Sequence, residues 1–309
     1  MSTRPIRIGI SACLLGEKVR YDGGHKRDAY AVRTLARHVE LLPVCPEVAI
    51  GLGVPRAPIH LVLRDGAVRA VGVADPARDV TDALAGYGRR ISRSLEDISG
   101  YVFKRRSPSC GLHDVAVEGG TRAGRGIYAD AVLQALAPLP SADEADLADA
   151  ARRDNFLERV FAFRRWQALV ATGVTTAGLV QFHAAHKLAL MAHSPRSVSE
   201  LGRLVAHADP VERVAGDYIV RFMQTLSRPA TAARHENALL HMLGYLKKRL
   251  DRADKAEMLD VIRRYRAQRV PRAAVLKLLR RHFKRHPDVY ISRQTYLYPS
   301  TEEKTLRRL

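Results

Sequence analysis

The sequence predicts an α/β N-terminal domain built on a three-layer, mostly parallel sheet, followed by an all-α helical C-terminal domain. Two patterns carry this expectation. Up to about residue 140, short apolar runs bounded by Gly and Pro alternate with stretches of helical period, as in layered folds with crossover helices. From about Ala142 nearly every segment has a 3.6-residue apolar stripe. A third observation points to the site: three predicted strand ends each deliver one of the chain's three cysteines, Cys13, Cys45 and Cys110. In open α/β sheets the C-terminal ends of the strands are where sites form.

Taken in order, residues 6–11 read as a first strand. A polar, Gly-containing loop comes next, then a helix from about Asp28 to Val39. The run 40–45 is a second strand, and residues 46–62 form a loop made irregular by its Gly and Pro content. Residues 60–64 and 67–73 flank Asp65-Gly66, a dipeptide suited to a two-residue hairpin turn. A helix begins at Asp79 or Thr81, a strand spans 101–104, and GIYADAVLQAL is a helix. Pro138 and Pro140 then break the pattern and Ser141 is placed to cap the first helix of the second half, so the domains are expected at 1–140 and 141–309. Seven helical segments of roughly 10–20 residues fill most of the second domain, and the tail VYISRQTYLYPS reads as extended or irregular.

Composition bounds the partners. No apolar run approaches the ~18 residues that a membrane span needs, and the N-terminus lacks a signal-peptide apolar core, so a cytoplasmic protein is expected. Three cysteines far apart in sequence make no disulfide framework. The formal charge is +19. Residues 1–140 carry 20 Lys and Arg against 14 Asp and Glu, while residues 141–309 carry 31 against 18. The more basic second half points to a polyanionic partner such as tRNA or another RNA; the plainer reading is solvated helix faces rich in Arg.

Three thiols are an unusual ligand count. A closed zinc site takes four protein ligands, and an iron–sulfur cubane is normally held by four thiolates. Three leave one position open, where a metal can act as a Lewis acid on substrate. The plain alternative is three unrelated buried cysteines, because no CxxC pattern is present. Around Cys110, the segment KRRSPSCGL adds Ser107, Ser109 and Gly111, whose hydroxyls and turn amides suit bonds to sulfide or an anion.

The segments SACLLGEKVRYDGG, VCPEVAIGLGVPRAPIHLV and KRRSPSCG, in that order, resemble the thiouracil desulfidase family over roughly residues 5–138. FHAAHKLALMAHSP, ARHENALLHMLGYLKKRL and VYISRQTYLYPS resemble the YbgA-like helical domain. The first resemblance implies a [4Fe-4S] cluster held by Cys13, Cys45 and Cys110, with the fourth iron open for the substrate's sulfur. It further implies Glu47 and Ser107 as catalytic residues, and a non-redox, hydrolytic cleavage of C=S in a thiolated pyrimidine base, nucleotide or RNA-derived nucleoside. A carboxylate such as Glu47 suits water activation; read without the resemblance, Glu47 is a helix-start residue and Ser107 a turn residue. After SPSCG this chain departs from the family, reading LHDVAVEGGTRAGRGIYADAVL in place of a Tyr-Asp-Gly segment, which bears on substrate identity if that region lines the pocket. Arg20, Lys26, Arg56, Lys104, Arg105 and Arg106 lie near the motifs and offer a grip for a nucleotide phosphate.

In the helical half, His183 and His186 share a helix face, with His193 beyond, and His235 and His241 lie on another helix. Metal ligation and a polar network inside a bundle both fit them. Tyr245, Tyr296, Tyr298 and Trp166 are candidates for stacking on bases or for core. Two functional classes emerge: a cluster-dependent desulfidase, or a nucleic-acid-binding protein whose iron–sulfur or other metal site is structural or sensing. A zinc-binding interaction protein is a third.

Overall fold

The computed structural model describes residues 5–121 and 123–308, so the start of the N-terminal stretch, residues 1–4, lies outside the described residues. The chain divides into two compact units, Met1–Phe156 and Leu157–Leu309.

In the first unit, β1 (Arg7–Ser11) buries Ile8 and Ile10 fully. It pairs in parallel with β2 (Glu40–Val44) on one side and, on the other, with a strand later in sequence, Gly100–Phe103. Pro43 lies in β2, which has no second neighbour, and a strand residue without an N–H belongs on such an edge. Between β1 and β2 the expected helix is only α1 (Ala29–Arg33), capped by Asp28 through its Ala31 N–H bond, with a turn of 3₁₀ after it at Leu35–Arg37. After β2, where an irregular loop was expected, α2 (Pro46–Ala49) forms one helical turn with Pro46 at its start, where a missing N–H has no consequence.

The hairpin β3 (Ile59–Arg64) and β4 (Ala67–Gly72) turns on Asp65 and Gly66. Both have positive φ, 50° and 76°, which a two-residue turn of the right twist requires. This hairpin stands outside the main sheet. It makes a second sheet with β6 (Val117–Glu118), a later strand, in the order β4-β3-β6. Helix α3 (Thr81–Ser92) leads to β5 (Gly100–Phe103), in which all four residues are buried. After β6 come α4 (Ile127–Ala135) and β7 (Ser141–Asp143), which pairs in parallel with β5. The main sheet is therefore all parallel, in the order β2-β1-β5-β7.

β7 falls where Ser141 was expected to cap a helix. The cap is Asp143, two residues on, in a capping box with Asp146 at the start of α5 (Glu144–Ala148). Short polar strands such as SAD carry little apolar signal, and here pairing with fully buried β5 decides the conformation.

Helix α6 (Ala150–Ala171) carries the chain into the second unit. After it come α7 (Thr176–His193), α8 (Pro195–Ala206), α9 (Val211–Ser227), α10 (Ala232–Leu246), α11 (Arg252–Arg266), α12 (Arg272–Arg285), a short α13 (Val289–Ser292) and α14 (Thr301–Arg307). The tail, expected to be irregular, thus contains one helical turn, α13, and continues into α14. Helix α7 serves two cores: Leu188, Ala189 and Ala192 pack with α10, α11 and α12, and Leu179, Phe182 and Leu190 with α8 and α9. Apolar residues around most of its circumference make it a central helix. Among the described residues no helix is long and apolar enough to cross a membrane.

Four histidines of this unit, His183, His186, His193 and His235, bond within it. His183 Nδ1 meets the Tyr218 hydroxyl at 3.2 Å, His186 Nδ1 the Phe182 carbonyl at 2.8 Å, and His235 Nδ1 the Tyr296 hydroxyl at 2.8 Å. His193 bridges the Arg228 carbonyl and Glu158. Trp166 and Tyr296 are buried in the cores and are not free to stack on bases, while Tyr245 is partly exposed and stacks on Tyr290. Among the described residues, the His, Cys, Asp and Glu trio whose ligand atoms all lie within 4.8 Å of one another is Asp254, Glu257 and His282. Arg281 and Arg285 already pair with its carboxylates.

Burial pushes the imidazole of His186 down to about 3 and that of His183 to about 4, helped by the charges of Arg165 and Lys187 respectively. Both rings are neutral in the fold, whereas the unfolded chain protonates them near 6.5. Below pH 6.5 the unfolded state binds more protons, so stability falls as pH falls and the loss is complete only below the folded values. The urea midpoint of the full chain is expected to drop between pH 6.5 and 4. His186→Leu should flatten that slope, because it removes the more strongly depressed ring.

Candidate functional site

Strands β2, β1 and β5 are neighbours and parallel, so their C-terminal ends lie on one edge of the sheet. The chain leaves β1 to one side for β2 and returns to the other for β5, which makes the β1/β5 boundary a topological switch point, where ligands bind in such sheets. A cysteine stands after each of the three ends. Cys13 lies two residues past β1, in a 3₁₀ turn closed by Gly16. Cys45 directly succeeds β2 and precedes α2. Cys110 lies seven residues past β5, in a turn that packs against the start of α4.

That last turn is held by the helix behind it. The N–H groups of Ile127 and Ala129, in the first turn of α4, donate to the carbonyls of Pro108 and Ser109, and Gly126 donates to Gly111. The approach is close enough that a Cβ on Gly126 would lie 2.5 Å from the Ser109 carbonyl group, so glycine is required there. Across the sheet, the Lys104 N–H donates to the Ser11 hydroxyl at 2.9 Å and ties the end of β5 to that of β1.

All three cysteines line one cavity of about 400 Å³, together with Glu47 and Ser107. Its walls include Ala12, Val44, Pro46 and Ile59, and Arg20, Lys26, Lys104, Arg105 and Arg106 supply cations. Lys104 pairs with Glu144 and Arg20 with Asp22, whereas among the described residues no carboxylate pairs with Lys26 or Arg106. Arg56, the sixth cation expected near the motifs, is not on the wall; it lies behind Glu47 and pairs with it. The divergent segment after SPSCG, residues 112–133, contributes no described residue to the lining. It runs into the second sheet through β6, and Val115 packs into that sheet's core.

Burial sets the state of the thiols. It pushes Cys13 up to about 11, against a smaller lowering by Lys104. It raises Cys45 too, opposed by the Val48 N–H at the start of α2. Cys110 is raised furthest, by burial and then by the Glu47 charge, with the Ser11 hydroxyl pulling the other way. At neutral pH the three are thiols, and a cationic partner is needed to make them thiolates.

Glu47 and Ser107 reach the cavity from different elements. The Glu47 carboxylate takes the Ser109 hydroxyl on Oε1 at 2.6 Å and Arg56 on Oε2, at 2.9 Å from Nε and 2.8 Å from Nη2. The Ser107 hydroxyl accepts N–H bonds from Ser109 at 3.3 Å and Cys110 at 3.1 Å. It therefore shapes the turn around Cys110 and retains its own proton as a donor. Reading the sequence grouped Arg56 with the phosphate-gripping cations and Ser109 with the turn. Neither carried a signal of pairing with Glu47, because Arg56 is nine residues and Ser109 sixty-two residues away from it.

The fold and cavity define a class: a parallel α/β domain that gathers three thiols, a carboxylate and cations at one sheet edge, joined to a basic helical domain. Residues 8–144 match the model of the 2-thiouracil desulfurase family, and residues 187–300 match DUF1722, a family of proteins of unknown function. The chain is 30% identical over 147 residues to the uncharacterized protein YbgA of Escherichia coli (strain K12), which is 46% of this chain and 86% of that one. It is 30% identical over 135 residues to the uncharacterized protein YbbK of Bacillus subtilis (strain 168), 42% of this chain and 87% of that one. A solved [4Fe-4S]-dependent thiouracil desulfidase, TudS, is 33% identical over 46% of this chain and 93% of its own, with a TM-score of 0.38. The chain belongs to the 2-thiouracil desulfurase family through its N-terminal domain, which is fused to a YbgA-like helical domain of the DUF1722 family.

Proposed function

We propose that the protein is a [4Fe-4S]-dependent desulfidase that replaces the thiocarbonyl sulfur of a pyrimidine with oxygen, working in the reducing cytoplasm. The observation that carries this reading is the convergence of Cys13, Cys45 and Cys110, from three separate strand ends, on one cavity that also holds Glu47 and Ser107. Family membership supports desulfuration as the class of reaction.

The donor set fits an iron–sulfur cluster. Three soft thiols line the cavity, and their sulfurs do not all lie within 4.8 Å of one another. A single tetrahedral zinc, with Zn–S of about 2.3 Å, would hold them about 3.8 Å apart; a cluster, in which each thiolate binds its own iron, holds them further apart. The compact trio Asp254, Glu257 and His282 contains no cysteine and is not part of this cavity. Cys13, Cys45 and Cys110 would hold the cluster, which when bound supplies an iron with an open position for sulfur.

The chain's own residues do the rest. Glu47 activates a water that adds to the carbon bearing sulfur. Ser107, still a donor after its two accepted bonds, supplies or relays a proton to the departing sulfur. Thiocarbonyl plus water gives carbonyl plus hydrogen sulfide, with no change in oxidation state. The apolar walls suit a pyrimidine ring, and Lys26 and Arg106, which have no carboxylate partner among the described residues, suit a nucleotide phosphate. The helical half, with net charge +13 from 31 basic and 18 acidic residues, is proposed to dock the RNA or tRNA that carries the base.

The test is anaerobic purification, then iron and sulfide analysis and a panel of 2-thiouracil, 4-thiouridine monophosphate and thiolated tRNA. About four irons per chain and sulfide release from one member support the reading. A cluster-loaded protein that binds tRNA and releases no sulfide from any of them would favour a nucleic-acid-binding protein with a sensing or structural cluster; zinc in place of iron would sink the desulfidase and favour a zinc-binding protein. A further expected result concerns protons. Because burial keeps the three thiols protonated, loading the apo-protein with iron and sulfide at pH 7.5 should release about three protons per chain beyond those that hydrosulfide gives up on becoming cluster sulfide. Calorimetry in buffers of different ionisation enthalpy counts them.

A further inference from the structure

We propose that Arg56 and Ser109 are positioning residues that clamp the Glu47 carboxylate in one orientation beside the three thiols. The inference rests on the proposed catalytic role of Glu47.

A carboxylate has about four acceptor positions, two on each oxygen. Oε2 of Glu47 accepts the Arg56 Nε–H at 2.9 Å and lies 2.8 Å from Nη2 of the same guanidinium as an ion pair, and Oε1 takes the Ser109 hydroxyl at 2.6 Å. With the guanidinium against Oε2, Oε1 keeps an acceptor position for a water or substrate group. Both partners are themselves immobile. The Arg56 side chain is 4% exposed, and its Nη1 also donates to the carbonyls of Val19 at 3.0 Å and Gly53 at 2.8 Å, with Nη2 reaching Val19 at 3.0 Å. Its fork thus ties together the Val19 loop, the start of α2 and the Gly53 loop. Ser109 is fully buried, its N–H is bonded to Ser107 and its carbonyl to Ala129.

The clamp also links Glu47 to the cysteines. The Val19 carbonyl that receives Arg56 is the acceptor of the Cys45 thiol at 3.7 Å. Ser109 directly precedes Cys110. A glutamate two residues from Cys45 in sequence is in this way held by the same turn that carries Cys110. Neither Arg56 nor Ser109 lines the cavity, so neither side chain reaches a substrate there, and each is proposed to act through the Glu47 carboxylate it holds. Holding a reacting group in one geometry accelerates the step it performs and leaves substrate binding alone.

The experiment uses the full chain with reconstituted cluster and the variants Arg56→Met, Arg56→Lys, Ser109→Ala and Glu47→Gln, assayed for iron content and for sulfide-release kcat and KM. Crystal structures of metal-free wild type and Arg56→Met give a readout independent of turnover. Arg56→Met should lower kcat about 10- to 100-fold with KM within about threefold and iron content unchanged, and the Glu47 carboxylate should leave its wild-type position in the crystal. Arg56→Lys should restore part of kcat, since a point charge replaces the fork, and Ser109→Ala should lower kcat by less than Arg56→Met. In the Glu47→Gln background, Arg56→Met should cost nothing further. The inference is overturned by a raised KM at unchanged kcat, by loss of iron, by full additivity with Glu47→Gln, or by an unmoved carboxylate. Wild type without iron or sulfide release, or a fully active Glu47→Gln, would instead mark the failure of the proposed function.

Discussion

Cys110→Ala is expected to bind little iron and to lose sulfide release by more than about a hundredfold. Cys110 is buried in a turn fixed by four N–H bonds, from Gly111, Gly126, Ile127 and Ala129, so no neighbouring group moves in to replace its sulfur. The same outcome is expected of Cys13→Ala and Cys45→Ala, because in the proposed cluster three ligands would already leave one iron without a protein donor. The fold should survive: removing one buried sulfur leaves a small cavity and costs on the order of 1 kcal/mol. Iron determination after anaerobic reconstitution, alongside circular dichroism, separates the two effects. If any one of the three variants keeps wild-type iron, the shared site is wrong.

Glu158→Ala is expected to destabilise the helical unit by on the order of 3–5 kcal/mol. Glu158, on α6, is buried and accepts from His193 on α7 at 3.1 Å and from Arg307 on α14 at 3.1 Å. Arg307 also pairs with Glu303 at 2.8 Å, and Glu303 with Arg165 of α6. Burial pushes the Glu158 carboxyl up, but Arg307, His193 and Arg272 outweigh it and hold the carboxyl well below its usual range. Alanine leaves Arg307 and His193 buried beside one another without that carboxylate. Glu158→Gln should cost less, since one acceptor oxygen remains. Urea unfolding of the full chain reads the difference, and a midpoint equal to wild type for Glu158→Ala would show that solvent enters the network and compensates.

This network was not legible in the sequence. Glu158, His193, Glu303 and Arg307 are spread over about 150 residues, and Arg and Glu on a helix read as solvated surface unless the packing of a third helix is known. α14 itself lay beyond a tail read as irregular. The cluster of thiols was legible in part: strand ends are marked by apolar runs that stop at Gly, Pro or Ser, and Cys13, Cys45 and Cys110 each come after one. What patterning missed was the pairing. HLVL and AVRAVG read correctly as a hairpin, yet nothing local says that its partner is VE at 117–118 rather than β5. That choice takes the segment after SPSCG away from the cavity and into the second sheet.

The sequence by itself determined the two-part architecture, the helices with strong apolar stripes, the turn at Asp65-Gly66 and the three strand-end cysteines, because each depends on period or turn chemistry within a dozen residues. Only the tertiary structure decided that those cysteines share one cavity, that Arg56 and Ser109 both bind Glu47, that Ser141 belongs to a strand, and that Trp166 and Tyr296 are core. Each of those depends on contacts between segments far apart in the chain, where the energy of burial and of paired charge, and not local preference, selects the partner.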